Sequence, residues 1–316
     1  MFHVEHNTKY YKPFKLFHVK HQLKNINNCP ICNSKNLSFW RSAIDHNVSQ
    51  DEFKISQCSN CNFKFTNPIP TENTIGEYYK SDTYISHSAT KKGVINKIYH
   101  VVRTRAIKQK ETLISSFSSN KTLLDIGCGT GDFLGYCKKN NWNTIGLEPD
   151  EDARKLAKSN NNIQALPLDE LYTIKSESKD TITMWHVLEH VYNLNQDIEE
   201  YKRILKPGGH LVVAVPNCSS HDADHYKEHW AALDLPIHLY HFTPNDIKRL
   251  MENHQLELIK VLPMKFDSYY ISMMSEKYKG GNILTGFWRG FISNIKAKKT
   301  KNTYSSQIYV IQKPKT

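Results

Sequence analysis

Leu123-Leu-Asp-Ile-Gly-Cys-Gly-Thr-Gly131 is an apolar run that ends in three closely spaced glycines. It reads as a buried strand, a tight turn, and the start of a helix. Glycines at 127, 129 and 131 let the backbone come close to a ligand and aim amide N–H groups at it from a helix N-terminus. A dinucleotide-binding turn looks similar but must cradle a pyrophosphate. Here Asp125 closes the strand, and a carboxylate at that point suits an amino-acid ammonium better than a phosphate.

Outward from this turn a β-α rhythm runs through the chain. Lys121–Gly127 leads to a helix ending near Asn140, Asn143–Pro149 to a helix ending near Asn160, and a weaker strand follows at Ile163–Leu168. Asp180–Val187 then leads to a helix ending near Leu205, and His210–Asn217 follows. Strands alternating with helices of this length predict a parallel, doubly wound α/β sheet. Thr243 ahead of Pro244 predicts a helix N-terminus. Two further strands are expected at Leu256–Pro263 and Ser305–Lys313. About twenty residues after the glycine turn the second strand ends in Gly146-Leu-Glu-Pro149, and an acid there, Glu148, can accept hydrogen bonds from both hydroxyls of a ribose.

The turn, the acid at 148, Met184-Trp-His-Val-Leu-Glu-His-Val191 and Leu205-Lys-Pro-Gly-Gly209 together resemble the class I S-adenosylmethionine-dependent methyltransferases, within the broad methyltransferase-23-like group. The resemblance covers about residues 75–262. It implies a Rossmann-like sheet of seven strands in the order 3-2-1-4-5-7-6, with S-adenosylmethionine across the carboxyl ends of the first strands. It further implies that Asp125, Gly127, Gly129 and Gly131 surround the methionine end and Glu148 the ribose. Asp169 would meet the adenine, and Trp185 and His186 would lie near the sulfonium. Glu189 and His190 are read only as the first turn of the following helix.

Cys29-Pro-Ile-Cys32 and Cys58-Ser-Asn-Cys61 form two C-x-x-C pairs. Two such knuckles can complete a tetrahedral zinc site, and four thiolates leave no open position, so the ion is expected to be structural. Similar ribbons occur in bacterial methyltransferases and in RNA-modifying enzymes. The expected organisation is a poorly ordered basic arm at 1–28, a zinc ribbon at 29–70 and a helical linker and cofactor lid at 71–118. The methyltransferase domain, 119–316, carries a basic aromatic insert at about 264–301. Two short echoes in the arm, Phe2–His6 and Phe17–His21, are read as coincidence.

The loop from His221 to Pro244 is crowded with histidines, acids and aromatics, and loops at the carboxyl ends of parallel strands close over ligands. His238 and His241 are the candidate bases for an acceptor that must lose a proton. The formal charge is +11, and Lys277–Lys301 holds seven Lys/Arg and no Asp/Glu. That insert raises the odds of anionic partners. Its aromatic residues Phe287, Trp288 and Phe291 are expected to pack on the sheet edge, with a peripheral membrane contact or substrate lid as the alternative.

No apolar stretch approaches the roughly 20 residues of a membrane span, and the amino-terminal residues lack a secretory apolar core, so the cytoplasm is the expected address. Methyl transfer to a small-molecule acceptor, such as a cell-envelope sugar, a lipid or a quinone-like compound, is the leading expectation. An RNA methyltransferase ranks below it, and a non-catalytic binding protein of the same fold ranks third. The residues leave open the acceptor, the choice of oxygen, nitrogen or carbon, and the oligomeric state.

Overall fold

The computed structural model describes residues 22–79, 94–118, 120–300 and 302–315. The echoed histidine motifs fall outside these residues. The central sheet is built from β6 (Thr122–Ile126), β7 (Asn143–Leu147), β8 (Ala165–Leu166), β9 (Lys179–Trp185), β10 (Leu205–Pro216), β12 (Glu257–Pro263) and β13 (Ser306–Gln312). Its spatial order is β8-β7-β6-β9-β10-β13-β12, the predicted 3-2-1-4-5-7-6. The first five strands pair in parallel, and β13 runs antiparallel to both β10 and β12. Such a sheet is covered on both faces, so its central strands are continuous apolar runs: Leu123, Leu124, Ile182, Met184 and Leu211–Val215 are all buried. Helix α3 (Asp132–Lys139) begins at Gly131, and α4 (Glu151–Asn161) is capped by Asp150, whose carboxylate accepts from the Ala153 N–H at 2.7 Å. Helix α7 (Pro244–Asn253) carries the expected Thr243 N-cap, reinforced as a capping box by Asp246.

The amino-terminal strands β2 (Leu37–Ile44), β3 (Glu52–Cys58) and β4 (Lys64–Thr66) form a second, antiparallel sheet. The short strand β11 (Tyr240–His241) of the downstream loop pairs with β4, Tyr240 opposite Phe65 and His241 opposite Lys64. The ribbon sheet is thus finished by the loop expected to face substrate. Apolar packing joins them too, since Phe63 and Phe65 share one core with Leu239, Tyr240 and Phe242 and with the central sheet. Residues assigned to the arm are partly built in: β1 (Leu23–Lys24) pairs with β5 (Ile69–Pro70), and the Asn67 side chain accepts from the Ile26 N–H and donates to the Ile26 carbonyl.

The insert differs from the expectation. It is a hairpin of two helices, α8 (Asp267–Tyr278) and α9 (Ile283–Thr300). A methyl group placed on Gly286 would meet the Met273 Cα at 2.5 Å, and one on Gly290 would meet the Ser268 oxygen at 2.6 Å, so small residues set this close crossing. The aromatic residues do not pack on the sheet edge. Phe287, Trp288 and Phe291 are exposed by 47, 61 and 41 %, because α9 buries its stripe of Gly286, Gly290, Ser293 and Ala297 instead.

Candidate active site

The glycine turn is shaped by its neighbours. Gly127, Gly129 and Gly131 all have positive φ. A β-carbon on Gly127 would strike the Val187 Cγ2 at 2.5 Å, whereas one on Gly129 would meet nothing within 4 Å. The first glycine therefore lets the segment just after β9 pass close to the turn, and the second leaves an open cradle. Glu148 spans this cradle: its Oε2 accepts from the Gly129 N–H at 2.8 Å and its Oε1 from the Asp150 N–H at 3.1 Å. Asp169 lies on the single turn Leu168–Thr173 after β8 and is exposed at the rim.

Asp125 is 2 % exposed and accepts a hydrogen bond from the Thr183 hydroxyl. Burial raises its pKa to about 7, against the lowering effects of that bond and of Lys110, while Glu148 pushes it further up. Lys110 comes from α2 (Val94–Ser115), the expected linker helix. Its ammonium sits 4.2 Å from the centroid of the Trp185 ring and is electrostatically coupled to Asp125 and Asp267. A resident cation thus occupies an aromatic face beside a buried carboxylate. That environment also suits a sulfonium and an ammonium. The sequence did not single out Lys110, because its only signal was charge on an amphipathic helix.

Strand β9 hands over to a single turn, Leu188–His190, through His186 in the left-handed region (φ 59°). His186 Nε2 is 3.1 Å from the Asp267 carboxylate, and its Nδ1 is 3.5 Å from Glu189 Oε1. Burial opposes the charged imidazole, but Asp267 and Glu189 outweigh it and raise the pKa to about 10. Glu189 is completely buried, and neither carboxylate oxygen has a hydrogen-bond partner among the described residues. Glu189 and His190 do lie on the expected helical turn, and the fold also brings both of them to His238. The His190 ring stands edge-on to His238 with centroids 4.7 Å apart, and donor atoms of Glu189, His190 and His238 lie within 4.8 Å of one another.

The two candidate bases part company. His238 joins this cluster; its Nδ1 is 3.0 Å from the Ala232 carbonyl, and burial lowers its pKa. His241 faces the ribbon, with Nε2 3.2 Å from the Thr66 hydroxyl, and burial holds it neutral. Thr66 also donates to the His238 carbonyl at 2.6 Å, and its N–H donates to that of Leu239 at 2.9 Å. The ribbon thereby grips the carboxyl-terminal end of the loop, from His238 to His241. In this position His241 fastens the loop to Thr66 of the ribbon.

At the ribbon itself, the four cysteine sulfurs lie within 4.8 Å of one another, with Cys29 to Cys61 at 3.4 Å and Cys32 to Cys58 at 3.5 Å. These separations are too long for disulfides and near the edge of about 3.8 Å of a tetrahedron with 2.3 Å zinc–sulfur bonds. The knuckles match one another: each is followed by an asparagine of positive φ, Asn33 and Asn62, whose N–H returns to the carbonyl of the first cysteine. The four residues fit a zinc ion.

A surface groove of about 700 Å³ runs along Lys138, Trp142, Glu151, Arg154 and Lys158 to the amino-terminal start of β7. Ligands of parallel sheets bind at the opposite, carboxyl end, where the features above converge.

The chain is 27% identical over 132 residues to the ubiquinone biosynthesis O-methyltransferase of Hydrogenovibrio crunogenus, which covers 40% of this chain and 52% of that protein. The same-named protein of Coxiella burnetii is 30% identical over 122 residues, 37% of this chain and 50% of its own. The chain thus spans about half the length of these curated relatives. A solved methyltransferase from Thermotoga maritima, described as a possible histamine N-methyltransferase, superposes with a TM-score of 0.48 at 19% identity, over 69% of this chain and 96% of that one. The profile of the family described as a methyltransferase domain matches residues 100–261, just over half of the chain, and the protein belongs to that family.

Proposed function

We propose that this protein transfers a methyl group from S-adenosylmethionine to a small-molecule acceptor. The observation that carries the reading is the buried Asp125 carboxylate beside Trp185, where the Lys110 ammonium stands in for a ligand's cation. When bound, S-adenosylmethionine supplies an electrophilic methyl group on a sulfonium. Asp125 would hold the ammonium of its methionine end, the open backbone at Gly129 would admit that end, and Glu148 would take the ribose hydroxyls. Asp169 would meet the adenine, and Trp185 and His186 would border the sulfonium. Holding two reactants aligned can supply on the order of 7 kcal/mol of barrier reduction. His238, neutral and with no hydrogen bond to Nε2 among the described residues, would accept the proton of the incoming group. The ribbon, loaded with zinc, keeps that loop in place.

Because Asp125 titrates at about 7, its charge sets the pH dependence of cofactor binding. Only the carboxylate can pair with an ammonium, and Lys110, Thr183 and Glu148 are the groups that face it. Affinity is expected to fall by up to about tenfold per pH unit below 7. It is also expected to weaken above about 8, where a free α-amino group loses its proton. Calorimetric titration from pH 5.5 to 8.5 checks this, and a flat profile below 7 would separate Asp125 from the ammonium.

The acceptor is proposed to be amphiphilic, a lipid or quinone-like compound of the cell envelope. The names of the curated relatives support this, and so does the hairpin. Leu284 is 71% exposed and Trp288 61%, while Ile283, Phe287, Phe291, Ile292 and Ile295 add to the same apolar helix. No helix among the described residues is long and apolar enough to cross a membrane. An apolar helix with Arg289, Lys296, Lys298 and Lys299 on it fits the surface of an anionic bilayer, each cation adding about 1 kcal/mol. Co-sedimentation with anionic vesicles is expected. Binding should drop at least tenfold with neutral vesicles or after a combined Leu284→Glu and Trp288→Glu change. Unaltered sedimentation of that variant would contradict the membrane contact. Preference for RNA, with a steep loss on adding salt, would favour the nucleic-acid alternative.

A further inference from the structure

The cluster at the end of β9 has a chemistry of its own. Glu189 is a buried carboxylate, and burying a charge costs several kcal/mol unless a cation or hydrogen bonds compensate it. His186 reaches only its Oε1, at 3.5 Å, and Oε2 has no hydrogen-bond partner among the described residues. Facing it are two imidazoles whose Nδ1 atoms each meet a backbone carbonyl, and at His190 the Tyr79 hydroxyl as well. His190 Nδ1 is 2.9 Å from the Ile237 carbonyl, and His238 Nδ1 is 3.0 Å from the Ala232 carbonyl. A carbonyl can only accept, so each Nδ1 carries the proton and each Nε2 presents a lone pair. Neutral imidazoles anchored through Nδ1–H to a backbone carbonyl are oriented in the way that metal-ligating histidines are.

We propose that Glu189, His190 and His238 form a second metal site, for a divalent ion of the borderline kind that imidazole and carboxylate ligands suit. Two histidines and one carboxylate leave coordination positions open, unlike the four cysteines of the ribbon. The three donor atoms lie within 4.8 Å of one another, and drawing in by about an ångström brings them to the spacing of ligands held at 2.0–2.2 Å. The Asp234 carboxylate, 4.0 Å from His238 Nε2, stands at the edge of the site, and the Tyr79 hydroxyl buttresses His190 at 3.0 Å. The site adjoins the glycine turn, since Val187, two residues before Glu189, packs on Gly127. An acceptor oxygen bound at an open position would sit beside the cofactor cleft and lose its proton more readily. This selects an acceptor with a metal-ligating hydroxyl and methylation at oxygen, and makes His238 a ligand in place of a base. That assignment of the acceptor rests on the methyl-transfer reading; the binding of metal does not.

The test is the zinc content of the full chain after loading and removal of free metal, read together with calorimetric binding of S-adenosylmethionine. Wild type is expected to hold two zinc ions per chain. Glu189→Gln and His238→Ala are each expected to hold one, with the ribbon's zinc retained and cofactor affinity within about threefold of wild type. One zinc in wild type would overturn the site, whether or not the variants fold. Two in His238→Ala would restore His238 as a base. Failure of cofactor binding in wild type with two zinc ions present would reject the methyl-transfer reading alone.

Discussion

Cys29→Ser is expected to abolish methyl transfer although the cysteine is remote from the cofactor cleft in sequence. The loss of one thiolate opens the tetrahedral site, and structural zinc sites are worth on the order of 10 kcal/mol in isolated fingers. Here the effect spreads beyond the ribbon. Strand β4 pairs with β11, and Thr66 holds the carbonyls of His238 and Leu239, so slackening of β4 releases the loop that presents His238. If packing of Phe63 and Phe65 on the main core saves half of the zinc contribution, about 5 kcal/mol is lost. The melting temperature should then fall by about 10 °C or more. Thermal melts with and without a chelator measure this. A chelated protein that keeps full activity would show that the ribbon and the loop are energetically separate.

The second large effect is at the cofactor cleft. Asp125→Ala should weaken S-adenosylmethionine binding at least a hundredfold, because it leaves a buried ammonium without its counter-charge, a loss of about 3–5 kcal/mol. Glu148→Ala removes hydrogen bonds from ribose hydroxyls to a charged acceptor and also the brace on the Gly129 N–H, with a loss of tenfold or more expected. The stability effect runs the other way for Asp125. Its pKa is raised on folding, so its charge is a burden that is absent below the unfolded value near 4, grows as pH rises from there, and is complete above about 7. Asp125→Asn should therefore melt no lower than wild type at pH 8 while failing to bind the cofactor. A marked loss of stability would mean that Asp125 serves the fold and not a ligand.

The parts of this architecture that depend on local pattern were legible in the sequence. The apolar strand before Gly127 can only be buried, the glycines admit a conformation other residues resist, and the spacing of the cysteine pairs restricts what they can ligate. Strand order came from resemblance, and the observed sheet agrees with it. What was not legible depends on distant contacts. Glu189 looks like any helix-opening acid until His238, nearly fifty residues on, and Asp267, from the insert, close around it and around His186. His238 and His241 sit in one short motif, yet the fold brings one to Glu189 and His190 and the other to Thr66. The insert's aromatics were expected inside because large apolar side chains usually are. The glycine and serine stripe of α9 wins the buried face because it lets two backbones approach more closely than aromatic rings would.

The most direct measurement is calorimetric titration of the zinc-loaded, full-length wild-type protein with S-adenosylmethionine and S-adenosylhomocysteine at pH 7.5. One site per chain with a micromolar Kd for both is the predicted result. A folded protein that takes up neither would contradict the account, and the turn at Gly127–Gly131 would then have to be explained without a cofactor.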